Sequence, residues 1–407
     1  RAKLQAKDLP GAMAIYEDVL ASAGARPDVL VTISGDLGVN GHLQQIAELV
    51  APRYDAEKHG PATGLNLLQA YLALRNIDAA QHLLDILFSL QRPELEQRLF
   101  GFSNALAELM ASENQAAGQL ENLPAEAIKI SMVSISKPVW FYGLESVAPQ
   151  LLPRKEGKLR RVAFAQCVTP DVTNALERSA KPEDALGRLT RGIPLWFAET
   201  FSCSANYDSI AVIGTTNHKH FAMFPMEWVA ENIRQVNETT EGGLDYVVTF
   251  ALRHRNDDFQ LGVRIWEVKK FRELKTFLTR WTPATANEEL LKFQTLLRGY
   301  MEWTARAEGD GLAYTPSAAA LPYIMSLGAS LNLFLGEKNV LAPEHVVATA
   351  ADFLPGAQDT RGHLALVTGL QRLQARGIAP DEAALAHARA WLASDEAKAV
   401  GVSGVQL

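Results

Sequence analysis

Two short runs hold the residues in this sequence best suited to chemistry. Asn217-His218-Lys219-His220 sets two imidazoles one residue apart. In an extended segment such residues share a face and can share a metal ion. The spacing supplies no third ligand, and His254 qualifies only if the fold brings it near. A solvated loop is the simpler reading, so no metal is expected. The second run, Arg253-His254-Arg255 with Lys269, Lys270 and Arg272 beyond it, could gather into a basic patch for an anion. Charges at a hairpin end also protect a sheet edge, and a net charge of -7 favours that role. If the chain holds a small ligand, the residues to carry it are His218, His220, Arg253 and His254.

Cys203 lies between Ser202 and Ser204, but no dedicated base accompanies it and it reads as a buried thiol. The patterns of a P-loop, a dinucleotide fingerprint, a nucleophile elbow and a zinc-protease helix are all missing. Gly-rich GDLGVNG at 35–41 reads as a tight turn between helices, and Asn237-Glu238-Thr239 as a chance match to a glycosylation acceptor. No cofactor is expected.

The elements that would position these residues follow from composition and period. The chain has 407 residues, 48% hydrophobic and 21% charged, a globular balance with room for two or three domains. With two cysteines it is no disulfide scaffold, and its acidic balance gives no footprint for nucleic acid. It opens on Arg1 and a helix-like AKLQAKD, so upstream sequence is expected. The compartment stays open, with the cytoplasm favoured.

Residues 1–120 read as helices with an internal period. A small residue, Ala12 or Ala80, follows a polar turn and precedes a large residue by four, Tyr16 or Leu84. The two alanines are 68 residues apart, twice 34, and the midpoint falls on Ile46. These spacings resemble the tetratricopeptide (TPR) repeat, a 34-residue helical hairpin met in bacterial proteins. The resemblance implies a solenoid whose first helices line a peptide-binding groove. In the third unit the groove residues would be Ala62, Leu65, Asn66, Gln69 and Ala73.

From 128 to 282 the text turns β-like. Ile128–Ser136 alternates with a slip near Met132 and Val133 that fits a bulge. Strands are expected at 161–167 and 209–214, helices at 183–203 and 226–236, and a hairpin across 244–268. The order argues a small α/β sheet with helices covering one face. Gly192-Ile193-Pro194, the strand ending Ile213-Gly214 and the hairpin opening Gly243-Leu244-Asp245-Tyr246 resemble the TolB amino-terminal-like domain. That resemblance implies a partner-facing module without catalysis.

Residues 283–407 read as a helical carboxy-terminal region, with helices near 286–307, 317–336, 343–353, 361–376 and 380–394. Gly311 to Gly336 carries no charge, yet Pro316, Pro322 and Asn332 argue for a helix buried in protein over one in a membrane. The fold class expected is therefore an α+β multidomain chain: a TPR-like solenoid, a central α/β sheet domain and a helical end. The function expected is non-enzymatic, a scaffold that binds protein or peptide segments. The alternative is a ligand-binding regulator or enzyme with its site in the central domain.

Overall fold

The computed structural model describes residues 2–118, 130–155, 157–216, 219–307 and 309–407. Helices combine with one mixed six-stranded sheet, an α+β arrangement. The chain divides into two compact units, residues 1–123 with 275–278, and residues 124–274 with 279–407.

The first unit contains α1 (Leu9–Ala23), α2 (Pro27–Val39), α3 (Pro61–Ala73), α4 (Ile77–Ser89) and α5 (Pro93–Gly118). Starts are set locally. The Asp8 side chain accepts from Gly11 N at 3.0 Å and that of Asn76 from Ala79 N at 3.3 Å, closing helix ends that would otherwise leave donors unpaired. The small or middle positions picked out by the period, Ala12, Ile46 and Ala80, are buried, whereas Val19, seven residues after Ala12 as Leu87 is after Ala80, is exposed. Helix α3 packs against α2, α4 and α5. The segment holding Ile46 is irregular. It runs as a π-helix over Ile46–Val50 and a 3-10 turn over Ala51–Arg53. Pro52 has no N–H to continue an α-helix, and its ring clashes with the carbonyl four residues back.

The sheet contains β1 (Ile130–Ile135), β2 (Arg160–Ala165), β3 (Tyr207–Thr216), β4 (Tyr246–Arg255), β5 (Asp258–Glu267) and β6 (Arg272–Trp281), and its first five strands lie in the second unit. Their order is β1-β3-β2-β4-β5-β6. Strand β2 runs parallel to both β3 and β4, while β1 is antiparallel to β3 and β5 to β4. The β4–β5 hairpin is as expected. Its turn is Asn256-Asp257, with Asn256 at φ 45°, the left-handed conformation that two-residue hairpin turns require.

Two expectations for the sheet and its helices fail. Strand β1 has no bulge: Ile130 to Ile135 pair in unbroken register with Thr216 to Ala211. It is an edge strand, exposed over most of its length, so strict alternation is not demanded of it. Nor do the helices share one face. Helix α6 (Ala185–Ser202) sets Phe197 and Phe201 against Phe164 and Phe250. On the opposite face, α7 (Ala230–Thr239) buries Ile233 and Val236 with Ala163, Val212 and Val247. The chain leaves β2 toward β3 and then returns across it to β4. Right-handed crossovers in opposite directions put their helices on opposite faces.

The helices α8 (Ala286–Tyr300), α9 (Ala320–Glu337), α10 (Thr360–Ala375) and α11 (Glu382–Leu392) belong to the same unit as those first five strands. The uncharged run forms α9, buried along most of its length against α6, α8 and α10. Gly192 and Gly328 allow the close approach of α6 and α9. A Cβ on Gly192 would lie 2.2 Å from Ile324 O, and one on Gly328 2.7 Å from Arg188 O. No described helix is long and apolar enough to cross a membrane. The helix expected at 343–353 is instead a string of 3-10 turns, at Pro343–His345, Ala350–Asp352 and Leu354–Gly356. Its backbone is held by Asn332 of α9, whose Oδ1 accepts from Val347 N and Ala348 N at 3.0 and 3.2 Å and whose Nδ2 donates to His345 O at 2.9 Å.

Candidate functional site

Strand β2 lies between two parallel neighbours reached by crossovers in opposite directions, so its carboxyl end opens a crevice between diverging loops. Ligands of open α/β sheets bind at such switch points. The residues chosen from sequence gather at this end of the sheet. His220 follows β3, and Arg253 and His254 lie in the last turn of β4. His218 lies outside the described residues.

The fold does not bring these side chains into one pocket. His220 is buried, its ring 5.3 Å from that of His345. Arg253 is tied down by carboxylates, Asp171 at 3.1 Å and Glu227 at 3.3 Å. His254 packs its ring 4.4 Å from Phe259 and lines a cavity of about 260 Å³. Thr169, Asp171, Thr173, Asn174 and Arg178, from the connection after β2, line it as well, with Leu186 of α6 and Leu252 of β4. Hydrogen bonds from Val168 N to Phe250 O and from Leu252 N to Val168 O, both 2.8 Å, hook this loop onto β4. Thr169, Asp171 and Arg178 escaped the sequence reading. TPD signals a turn, but nothing local says that the preceding strand has parallel neighbours on both sides.

Beside this cavity a charged network closes the amino end of α6. Asp184 accepts from Gly187 N at 2.7 Å and pairs with Arg178. Glu183 pairs with Arg188 and Arg191, and Arg188 also with Asp352. Arg191 is buried, with its guanidinium 3.9 Å from the centre of the Phe221 ring, and burial lowers its pKa. The helix end and its cations are thus internally matched.

A second polar centre is enclosed among α6, α9 and α10. Glu199 accepts from Trp140 Nε1 at 3.1 Å and from Tyr323 OH at 2.8 Å, with Arg361 Nε 3.1 Å away. Burial pushes its carboxyl up to about 7, with Arg361 working against that rise. Arg361 Nη2 also stands 3.4 Å from Cys203 Sγ, and Cys203 is buried as expected. These groups tie α6 to α9 and α10. The largest described cavity, about 770 Å³, runs along β1 and α7, with Met132, Met223, Phe224, Met226 and Trp228 in its wall. Among the described residues no group of three or more His, Cys, Asp or Glu is placed to hold a metal.

In the helical unit the groove candidates divide. Leu65 is buried, and Asn66 Nδ2 donates to Ser34 Oγ of α2 at 2.9 Å. Ala62, Gln69 and Ala73 are exposed. No known family model matches this chain, and no curated protein matches it. Among solved structures it bears a slight likeness to TolB from Acinetobacter baumannii, with a TM-score of 0.21 and 9% sequence identity. The alignment covers 43% of this chain and 32% of that one, and is too slight to bear on function.

Proposed function

We propose that this protein is a scaffold that binds a protein or peptide segment along its helical unit, and that this unit is a TPR-like solenoid. The observation that carries the reading is the Asn66–Ser34 bond. It joins the first helices of two successive units, α3 and α2, from positions 32 residues apart. In a solenoid the first helices stand side by side and line one concave face. Leu65 and Asn66 build the seam between them, while Ala62, Gln69 and Ala73 present a surface that is small and polar. Such a surface suits shallow contact with an extended segment rather than capture of a charged terminus.

The test is site-specific photo-crosslinking in the full chain from Gln69, Ala73 and, as a control on the second helix of the same unit, the exposed His82. One partner captured from the first two positions and not from His82 supports the groove. Equal capture from all three, or none from any, refutes it.

A further inference from the structure

Strand β1 leaves one edge of the sheet open, and no described strand pairs beyond it. The hydrogen bonds of its neighbour show which of its residues face outward. Val212 O of β3 accepts from Gln166 N at 2.9 Å, and Gly214 N donates to Gln166 Oε1 at 3.0 Å, both toward the β2 side. Along a strand the N–H and C=O of one residue point to one side and those of the next to the other. The even-numbered residues of β3 thus face β2, and Ala211, Ile213 and Thr215 face β1. These three stand opposite Ile135, Val133 and Ser131. The remaining residues of β1, Ile130, Met132 and Ser134, therefore turn their N–H and C=O groups away from the sheet.

Such an edge accepts another strand unless something blunts it. At the far edge, β6 carries Arg272, Glu273 and Arg280. Strand β1 carries no charge, and the side chains of Ile130 and Met132 are 48% and 38% exposed. They share a face with Ser134 and line the cavity beside α7.

The outward residues are symmetric about Met132, and that property selects the occupant. In an isologous pair, equal steps on either side of the two-fold axis stand opposite one another. With the axis at Met132, this residue meets its own copy. Ile130 then meets the partner's Ser134, a large side chain beside a small one. Each pair exchanges both of its N–H···O bonds, so no outward group is left over. No charge on the strand is set against its like. Nothing about an unrelated strand calls for this symmetry.

We propose that β1 pairs with β1 of a second copy of this chain, antiparallel and centred on Met132, joining two sheets into one. The contact is separate from peptide binding by the helical unit.

The test is sedimentation velocity of the full chain from about 2 to 200 µM, a range that brackets the Kd of roughly 20 µM expected of so small an interface. The wild type is expected to pass from monomer to dimer. Met132→Lys and Met132→Glu each set like charges on the axis and are expected to weaken the dimer about tenfold or more, with circular dichroism unchanged. An equimolar mixture of the two is expected to restore it. Hydrogen exchange of the wild type needs no substitution: a peptide covering 130–135 is expected to exchange more slowly at the high concentration than at the low one. A wild type that stays monomeric at about 200 µM overturns the proposal and leaves this edge to a strand of another protein. So does a dimer undiminished in both variants, a mixture of the folded variants that stays monomeric, or exchange in that peptide that ignores concentration.

Discussion

Replacing Asn332 with Leu tests whether one buried amide holds the turns at 343–356 in place. The two side chains have similar volume, so the change removes hydrogen bonds more than it alters packing. It strands His345 O, Val347 N and Ala348 N. His345 and Ala348 are buried, so each of those groups loses about 1–3 kcal/mol. Val347 is only half-buried, and water recovers part of its loss. Burying leucine instead of an amide returns about 2 kcal/mol. The net expectation is destabilisation by about 1–5 kcal/mol. The assay is urea denaturation followed by tryptophan fluorescence, which reports on this unit alone. All seven tryptophans, from Trp140 to Trp391, lie in the second unit and none in the first. A neutral or stabilising Asn332→Leu would refute the claim that this side chain replaces helical hydrogen bonds.

Three further outcomes are expected. Ala80→Leu overfills a fully buried position and should cost about 1–3 kcal/mol, read as a lower Tm by circular dichroism; an unchanged Tm would exclude close packing there. Gly192→Ala places a methyl against Ile324 O and should cost about 3 kcal/mol by the same fluorescence assay, with Gly299→Ala, in α8 of the same unit where a Cβ meets nothing within 4 Å, as the control that loses no stability. The Glu199 carboxyl titrates near 7 in the fold against an ordinary 4.5, so the stability it contributes is full below about pH 4.5 and is lost as pH rises through about 7. Glu199→Gln should flatten that part of the stability–pH curve, and an identical slope in the variant would remove Glu199 as its source.

What could be read from sequence was what is locally encoded. The β4–β5 hairpin announces itself through alternation and an Asn-Asp turn, and α1 and α4 through the period that picks out Ala12 and Ala80. What escaped depends on neighbours. Strand β6 reads as a basic, non-alternating run. The segment at 343–353 looked helical because its alternative partner, the side chain of Asn332, is on another element. The site followed the same division. His220, Arg253 and His254 were identifiable as residue types. Thr169, Asp171 and Arg178 gain meaning only when β2 is seen between β3 and β4, because strand order is a property of crossovers and not of any window of residues.

The uncharged helix α9 has a consequence for the order of folding. It is clad on several sides, and one of its covers, α10, is made from residues 360–375, downstream of it. A chain emerging from the ribosome therefore carries α9 through a stretch of synthesis in which its apolar faces cannot yet be closed. Local periodicity cannot stabilise it alone, since it has no polar side to turn to water. The sheet and α6 can form earlier and offer one partial cradle, and the close crossing at Gly192 and Gly328 gives that first docking a defined register. The cover of α9 is therefore complete only once residues 360–375 have been made.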